Sequence, residues 1–199
     1  MTLQLYAQFL SRSFKSVDSI RNYISGIRKV HLLLGFQLDN INQFILNFSL
    51  KGLERLKGHC VKQAEPMTPE LLARMYSVMD MADVNDTVYW CLFLFAFFLV
   101  ARKSNLVPTT SDDIVKGKCL LRKNVEVKID HLVVTMNWSK TIQFGERKLV
   151  SPLIKIEESI LCPYRAYKNM IKRVKGSVED PLFLLNNGKP ISYYLFQKR

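Results

Sequence analysis

The chain has 199 residues, 29 of them Lys or Arg against 17 Asp or Glu, giving a net charge of +12 with 48% hydrophobic and 11% aromatic residues. That apolar content can bury a core large enough to offset the entropy of ordering the chain, so a disordered basic tail is excluded, and the length allows one domain or two small ones. Cys60, Cys91, Cys119 and Cys162 stand in no CxxC spacing and beside no histidine cluster, so neither a disulfide framework nor a zinc site is expected, and a reducing compartment fits better.

The N-terminal MTLQLYAQFLSRSF has no basic stretch ahead of its apolar residues and no small-residue cleavage pattern, which argues against a secretory signal. Residues 2–12 have the spacing of a short amphipathic helix. Ser16 then opens a longer helix to about residue 34, with Asp18 favouring its N-terminal dipole and Gly35 as the stop. Val17, Ile20, Ile24, Ile27, His31 and Leu34 form its predicted core stripe. Arg21, Ser25, Arg28 and Lys29 share another face, which either tracks a phosphate backbone or is simply solvated. A third helix is predicted over about 41–57, with Phe44, Ile45, Phe48 and Leu56 as apolar contacts and Gly58 as its end.

Residues 59–67 have no periodicity and include Pro66, so they read as a linker. Thr68-Pro69-Glu70 restarts a helix with an N-cap, a proline at the first helical position and an early acid. The run 88–101, VYWCLFLFAFFLVA, is the only stretch that could suggest a membrane span, and it is too short. Spanning needs about 20 apolar residues, so this run predicts a helix buried on all sides in a core. Pro108 to Asp113 reads as a loop.

From Cys119 the pattern changes to strands: CLLRKNVEVK, then HLVVTMNWSKT after a turn at Ile129-Asp130, then RKLVSPLIK after Gly145. In the second strand Leu132, Val134, Met136 and Trp138 alternate with Val133, Thr135, Asn137 and Ser139. Cys162-Pro163 opens a helix to about residue 175, with Tyr167, Met170, Ile171 and Val174 inward and Gly176 as its end. Its Lys168, Lys172, Arg173 and Lys175 suit the negative end of the helix dipole, with DNA contact secondary. The last segment predicts a short strand, an Asn187-Gly188 turn and a helix from Ser192.

Charge along the chain is uneven. Residues 1–64 hold 9 basic and 3 acidic side chains, 65–101 hold 1 and 5, and 102–199 hold 19 and 9. Two basic segments could flank one nucleic acid, because Lys and Arg at phosphates release counterions; a solvated basic surface is the plainer alternative. No Gly-rich phosphate loop and no HExxH zinc motif is present, and His59-Cys60 has no second pair to complete a metal site.

A small helical domain, a linker ending in PMTPELL, a buried helix ending in LVARKSNLVP, a sheet containing WSKT, then CPYRAY and DPLFLL together resemble the tyrosine recombinase family of phage-integrase type, in its eukaryotic mobile-element form. The resemblance runs over nearly the whole chain. It implies a mainly α, two-domain fold: a helical core-binding domain at 1–58, a linker at 59–67, and at 68–199 the front part of an α+β catalytic domain with a three-stranded antiparallel sheet. It implies DNA recombination and integration as the parent function, through a tyrosine that attacks the scissile phosphate while fixed cationic donors stabilise the transition state. No metal or cofactor is used in the family.

Two positions match the family's active site. Arg102 sits where the first catalytic arginine is found, and Lys140 in WSKT where the sheet lysine is found. Strict alternation puts Lys140 on the side of Leu132, Val134 and Met136, so either the register breaks at the turn or the ammonium reaches into the cleft. The family's His-x-x-Arg is missing: three residues after His31, His59 and His131 stand Leu34, Lys62 and Val134. Tyr193 and Tyr194 precede the place where that motif belongs, so neither is the nucleophile; packing in the final helix is expected of both.

The resemblance therefore implies a DNA-binding fragment of a recombinase, inactive in strand cleavage, with apolar surface left uncovered where the catalytic domain is incomplete. The expected partners are duplex DNA, through Arg21, Ser25, Arg28 and Lys29 among others, and further protomers on that DNA. No membrane and no small-molecule substrate is expected. The expected location is intracellular, and nuclear if the source is eukaryotic. The alternatives are a domesticated, non-catalytic architectural DNA-binding protein and a helical protein-interaction module.

Overall fold

A computed structural model describes residues 3–36, 43–58, 65–138 and 147–198. The chain is mainly helical with one small antiparallel sheet, and its backbone divides into two compact units, Met1–Glu65 and Pro66–Arg199.

The first unit holds α1 (Leu3–Ser11), α2 (Val17–Leu33) and α3 (Gln43–Lys57). Ser16 caps α2 as its sequence predicts, its hydroxyl accepting the Asp18 N–H at 3.2 Å. Ala7, Leu10, Val17, Ile20, Ile24, Leu46 and Leu50 form the core. Only the first half of the predicted α2 stripe is buried: Ile27 is half-buried, and His31 and Leu34 are exposed. The predicted contacts of α3 are also the wrong ones. Phe44, Ile45, Phe48 and Leu56 are all exposed, and α3 instead buries Leu46 and Leu50, one turn apart, with Leu53 against them. The helix carries two apolar stripes, and burial follows the one that meets α1 and α2.

The second unit begins with α4 (Pro69–Val78), capped by the Thr68 hydroxyl, which accepts the Leu71 N–H at 3.3 Å. α5 (Val84–Phe98) follows and is the centre of the larger core. It starts four residues earlier than its apolar run, because the Asp83 carboxylate caps it by accepting the Asp86 N–H at 3.0 Å. Burial is continuous only over residues 86–92. Phe93, Ala96 and Phe97 are half-buried and Phe98 is exposed, so the expectation of a helix enclosed on all sides holds for only part of the run.

The predicted loop after Pro108 contains structure: α6 (Lys103–Leu106) lies just before it, and α7 (Ser111–Val115) starts at Thr110 with a capping box closed by the Asp113 carboxylate. The first predicted strand is mostly a 3-10 turn, Arg122–Asn124, which leaves β1 only three residues, Val125–Val127. β2 (His131–Met136) and β3 (Leu149–Ile154) complete an antiparallel sheet of order β1-β2-β3, with Val134 opposite Val125 on one side and Ser151 on the other. Leu132, Val134 and Met136 are buried and the residues between them are half-buried, matching the predicted alternation. Pro152 lies in edge strand β3, where a missing N–H costs no ladder bond.

α8 (Pro163–Arg173) lies against α5 and β3 and buries Ala166, Tyr167 and Met170. At Gly176 the chain passes so close to Arg122 that a Cβ would lie 2.8 Å from the guanidinium carbon and 3.0 Å from Leu184 Cδ1. The predicted terminal strand makes only isolated bridges, Leu121 with Pro181 and Leu184 with Pro190, around the Asn187-Gly188 turn. α9 (Tyr193–Lys198) follows.

Candidate nucleic-acid interface

The end of α5 fixes the position of Arg102. Leu99 is its C-cap, the Val100 N–H donates to the Phe97 carbonyl at 3.2 Å, and the Ala101 N–H donates to the Ala96 carbonyl at 3.2 Å. This paired pattern is a Schellman motif, and it needs a left-handed residue at Val100, whose φ is +47°. A β-branched residue there is strained by about 1–2 kcal/mol, so surrounding packing must hold the turn. The next turn begins with Arg102, whose carbonyl accepts the Asn105 N–H at 2.9 Å. Its guanidinium is exposed and makes no hydrogen bond or ion pair with a described residue. A fixed backbone thus presents an exposed planar cation.

Two more cations belong to the same neighbourhood. Lys103 lies over the Tyr193 ring at 4.5 Å, and the Tyr193 N–H donates to the Pro108 carbonyl at 2.9 Å, tying α9 to the segment after α6. Lys118 lies over the Trp138 ring at 5.5 Å. Asn105 joins the two parts: it is buried, and its amide donates to the Trp138 carbonyl at 3.4 Å. Its Oδ1 is buried with no partner among the described residues, so the side chain is held mainly by this link. Trp138 is two residues before Lys140, which itself lies outside the described residues.

The predicted DNA-contact face of α2 is only partly available. Arg21 bridges Asp18 at 2.9 Å and Glu54 of α3 at 2.7 Å. Partial burial works against its charge, but the two carboxylates outweigh that and hold the guanidinium pKa above its ordinary value. Arg28 donates to the Gln43 side chain at 2.9 Å. Ser25 and Lys29 are exposed on the same face, and no described residue bonds their side chains. Arg21 and Arg28 therefore fasten α2 to α3 as well as contributing positive charge.

Of the two predicted packing tyrosines, Tyr193 is half-buried against the core, while Tyr194 is 64% exposed with Lys198 over its ring at 4.7 Å. Packing of Tyr194 in the core is thus not what the structure shows. Sequence reading missed Asn105, Lys103 and Lys118. Nothing in a linear pattern distinguishes a lysine lying on an aromatic ring from a solvated one, and the Asn105 link spans 33 residues. No protein-family model matches the chain, and no curated protein sequence matches it. Among the described residues, no helix is long and apolar enough to cross a membrane, and no three His, Cys, Asp or Glu side chains group as a metal site.

Proposed function

We propose that the chain binds duplex DNA in the manner of the tyrosine recombinases it resembles, with residues 1–58 as a core-binding domain and 68–199 as the front part of a catalytic-type domain. The observation that carries this reading is Arg102: an exposed arginine with no described counter-ion, set on a strained turn at the end of a buried helix. A guanidinium so placed suits bidentate contact with a phosphate, and Lys103 and Lys118 add charge to the same neighbourhood. Lys140 joins this group in the proposal. The 199 residues hold no His-x-x-Arg, so the proposed activity is binding and not strand cleavage.

Anisotropy titration of a labelled duplex tests this. Affinity should fall steeply as salt rises from 50 to 200 mM, the signature of released counterions, and Arg102→Ala should weaken binding by about tenfold at low salt. Incubation with nicked suicide duplexes should leave no protein–DNA band in a denaturing gel; such a band would sink the claim that cleavage is absent. A helical protein-interaction module is the second reading, favoured by the exposed Phe44 and Phe48 of α3 and Leu33 and Leu34 at the end of α2. Absence of duplex binding at low salt would select it.

A further inference from the structure

One cleft in the second unit takes no part in the proposed duplex contact. It has a volume of about 350 Å³ and lies between α4, α5 and α8 and the turn that precedes α8. That size is at the lower end of ligand pockets, which run from roughly 300 to 1,000 Å³. Its aromatic side is Tyr76 and Trp90, whose ring centroids are 5.0 Å apart and inclined at 58°. Trp90 is buried, whereas Tyr76 is half-buried.

Another part of the lining is cationic. Arg165, Lys168 and Lys172 all line the cleft from one side of α8, at spacings of three and four residues. Seven residues of helix rise about 10 Å, so the three charges form a row and not a point. No described carboxylate lines the cleft, and α8 contains no acidic residue. Glu158 is the acid nearest Arg165 in sequence, and Glu157, engaged by Lys155 at 2.8 Å, also feels the charge of Arg165. Asn169 on α8 and Ser159 in the preceding turn add polar groups to the lining.

The frame around the cleft is fixed. Arg173 donates to the Met81 and Ala82 carbonyls at 2.9 and 3.1 Å and to the Thr87 hydroxyl at 3.2 Å, which locks the end of α8 to the turn between α4 and α5. Met81 is itself part of the cleft lining, so this clamp holds one piece of the wall.

We infer that this cleft binds a nucleoside phosphate, its base against Tyr76 and its phosphates along Arg165, Lys168 and Lys172. Aromatic rings accept any base by stacking, and a row of cations accepts a chain of phosphates. The amide of Asn169 supplies donors and an acceptor for a base edge. The same unit of base and phosphate is available from a free nucleotide or from single-stranded nucleic acid. An acidic peptide would satisfy the cations but would leave the aromatic wall without a flat partner. The inference does not depend on duplex binding.

The test uses the full chain with Trp138→Phe, which leaves Trp90 as the sole tryptophan, together with calorimetry on the unaltered chain. ATP, adenosine, tripolyphosphate, a six-residue thymidine strand, a 20-base-pair duplex and a decamer of glutamate are titrated separately. ATP or the thymidine strand should change Trp90 fluorescence saturably, and whichever is tighter identifies the source. Adenosine and tripolyphosphate should each bind at least tenfold more weakly than ATP. Lys168→Glu combined with Lys172→Glu should weaken ATP at least tenfold, with unchanged circular dichroism. Tripolyphosphate or the glutamate decamer matching ATP would overturn the inference, as would no heat of binding with either nucleotide source. A loss of duplex affinity in the double variant as large as its loss of ATP affinity would assign these lysines to the duplex surface and overturn it too.

Discussion

The helices α2 and α5 stop in the same way and with opposite chemistry. In α2 the Gly35 N–H donates to the Leu32 carbonyl at 3.1 Å and the Phe36 N–H to the His31 carbonyl at 3.0 Å, with Gly35 at φ +78°. At the end of α5 Val100 occupies the equivalent position at φ +47°. Glycine enters that region without steric cost, and valine does not. The first helix end is therefore relaxed, and the second holds strain immediately before Arg102. Strain of this kind is kept where surrounding structure over-determines the backbone, which is what a side chain needs if it must be presented in one place.

Four measurements would break or sharpen that contrast. The largest effect is expected from Gly176→Ala, where φ plays no part and the new methyl meets Arg122 and Leu184; urea melts should show a loss of about 2 kcal/mol, the scale of overpacking. Gly35→Val should cost about 1 kcal/mol, since a Cβ there has open space and only the left-handed backbone opposes it. Val100→Gly should gain about 1 kcal/mol in the same assay, and an unchanged or lowered midpoint would show that the turn at Val100 is not strained. The smallest effect belongs to the capping box of α7.

Partial burial raises the Asp113 pKa, but the Thr110 and Thr109 N–H groups, bonded at 3.0 and 3.1 Å, outweigh it and lower the carboxyl pKa from its ordinary value. A depressed folded-state pKa gives stability that is present above the unfolded value and lost as pH falls through the folded one. Below about pH 4 the Thr109 and Thr110 amides should therefore lose exchange protection, and Asp113→Asn should remove most of that pH dependence.

Much of the fold was legible where a local rule had one solution. Ser16, Thr68-Pro69 and Cys162-Pro163 each start a helix at the expected residue, because capping depends on side chains within three positions. The alternation of β2 likewise needed no distant information. In α3 the sequence offers two apolar stripes, and which one is buried depends on α1 and α2, not on α3 itself. Of the proposed site, Arg102 was picked out in the sequence by its place after the apolar run. Around it the reading stopped, because Asn105 and Trp138, Lys118 and Trp138, and Lys103 and Tyr193 are joined only by folding. The pairing of Arg21 with Glu54 was hidden for the same reason, so the formal charge of α2 overstates what is free to meet phosphate.

The two borders of the sheet bear on how copies of this protein can associate. On one side β1 offers only three residues, and on the other β3 carries Pro152, which cannot donate a hydrogen bond to an incoming strand. Recruitment of a neighbour by strand addition, the usual route from a sheet to a ribbon or a fibre, has little to hold in either direction. The exposed apolar residues of α2 and α3 are surface of another kind, one that needs no free strand edge to be covered.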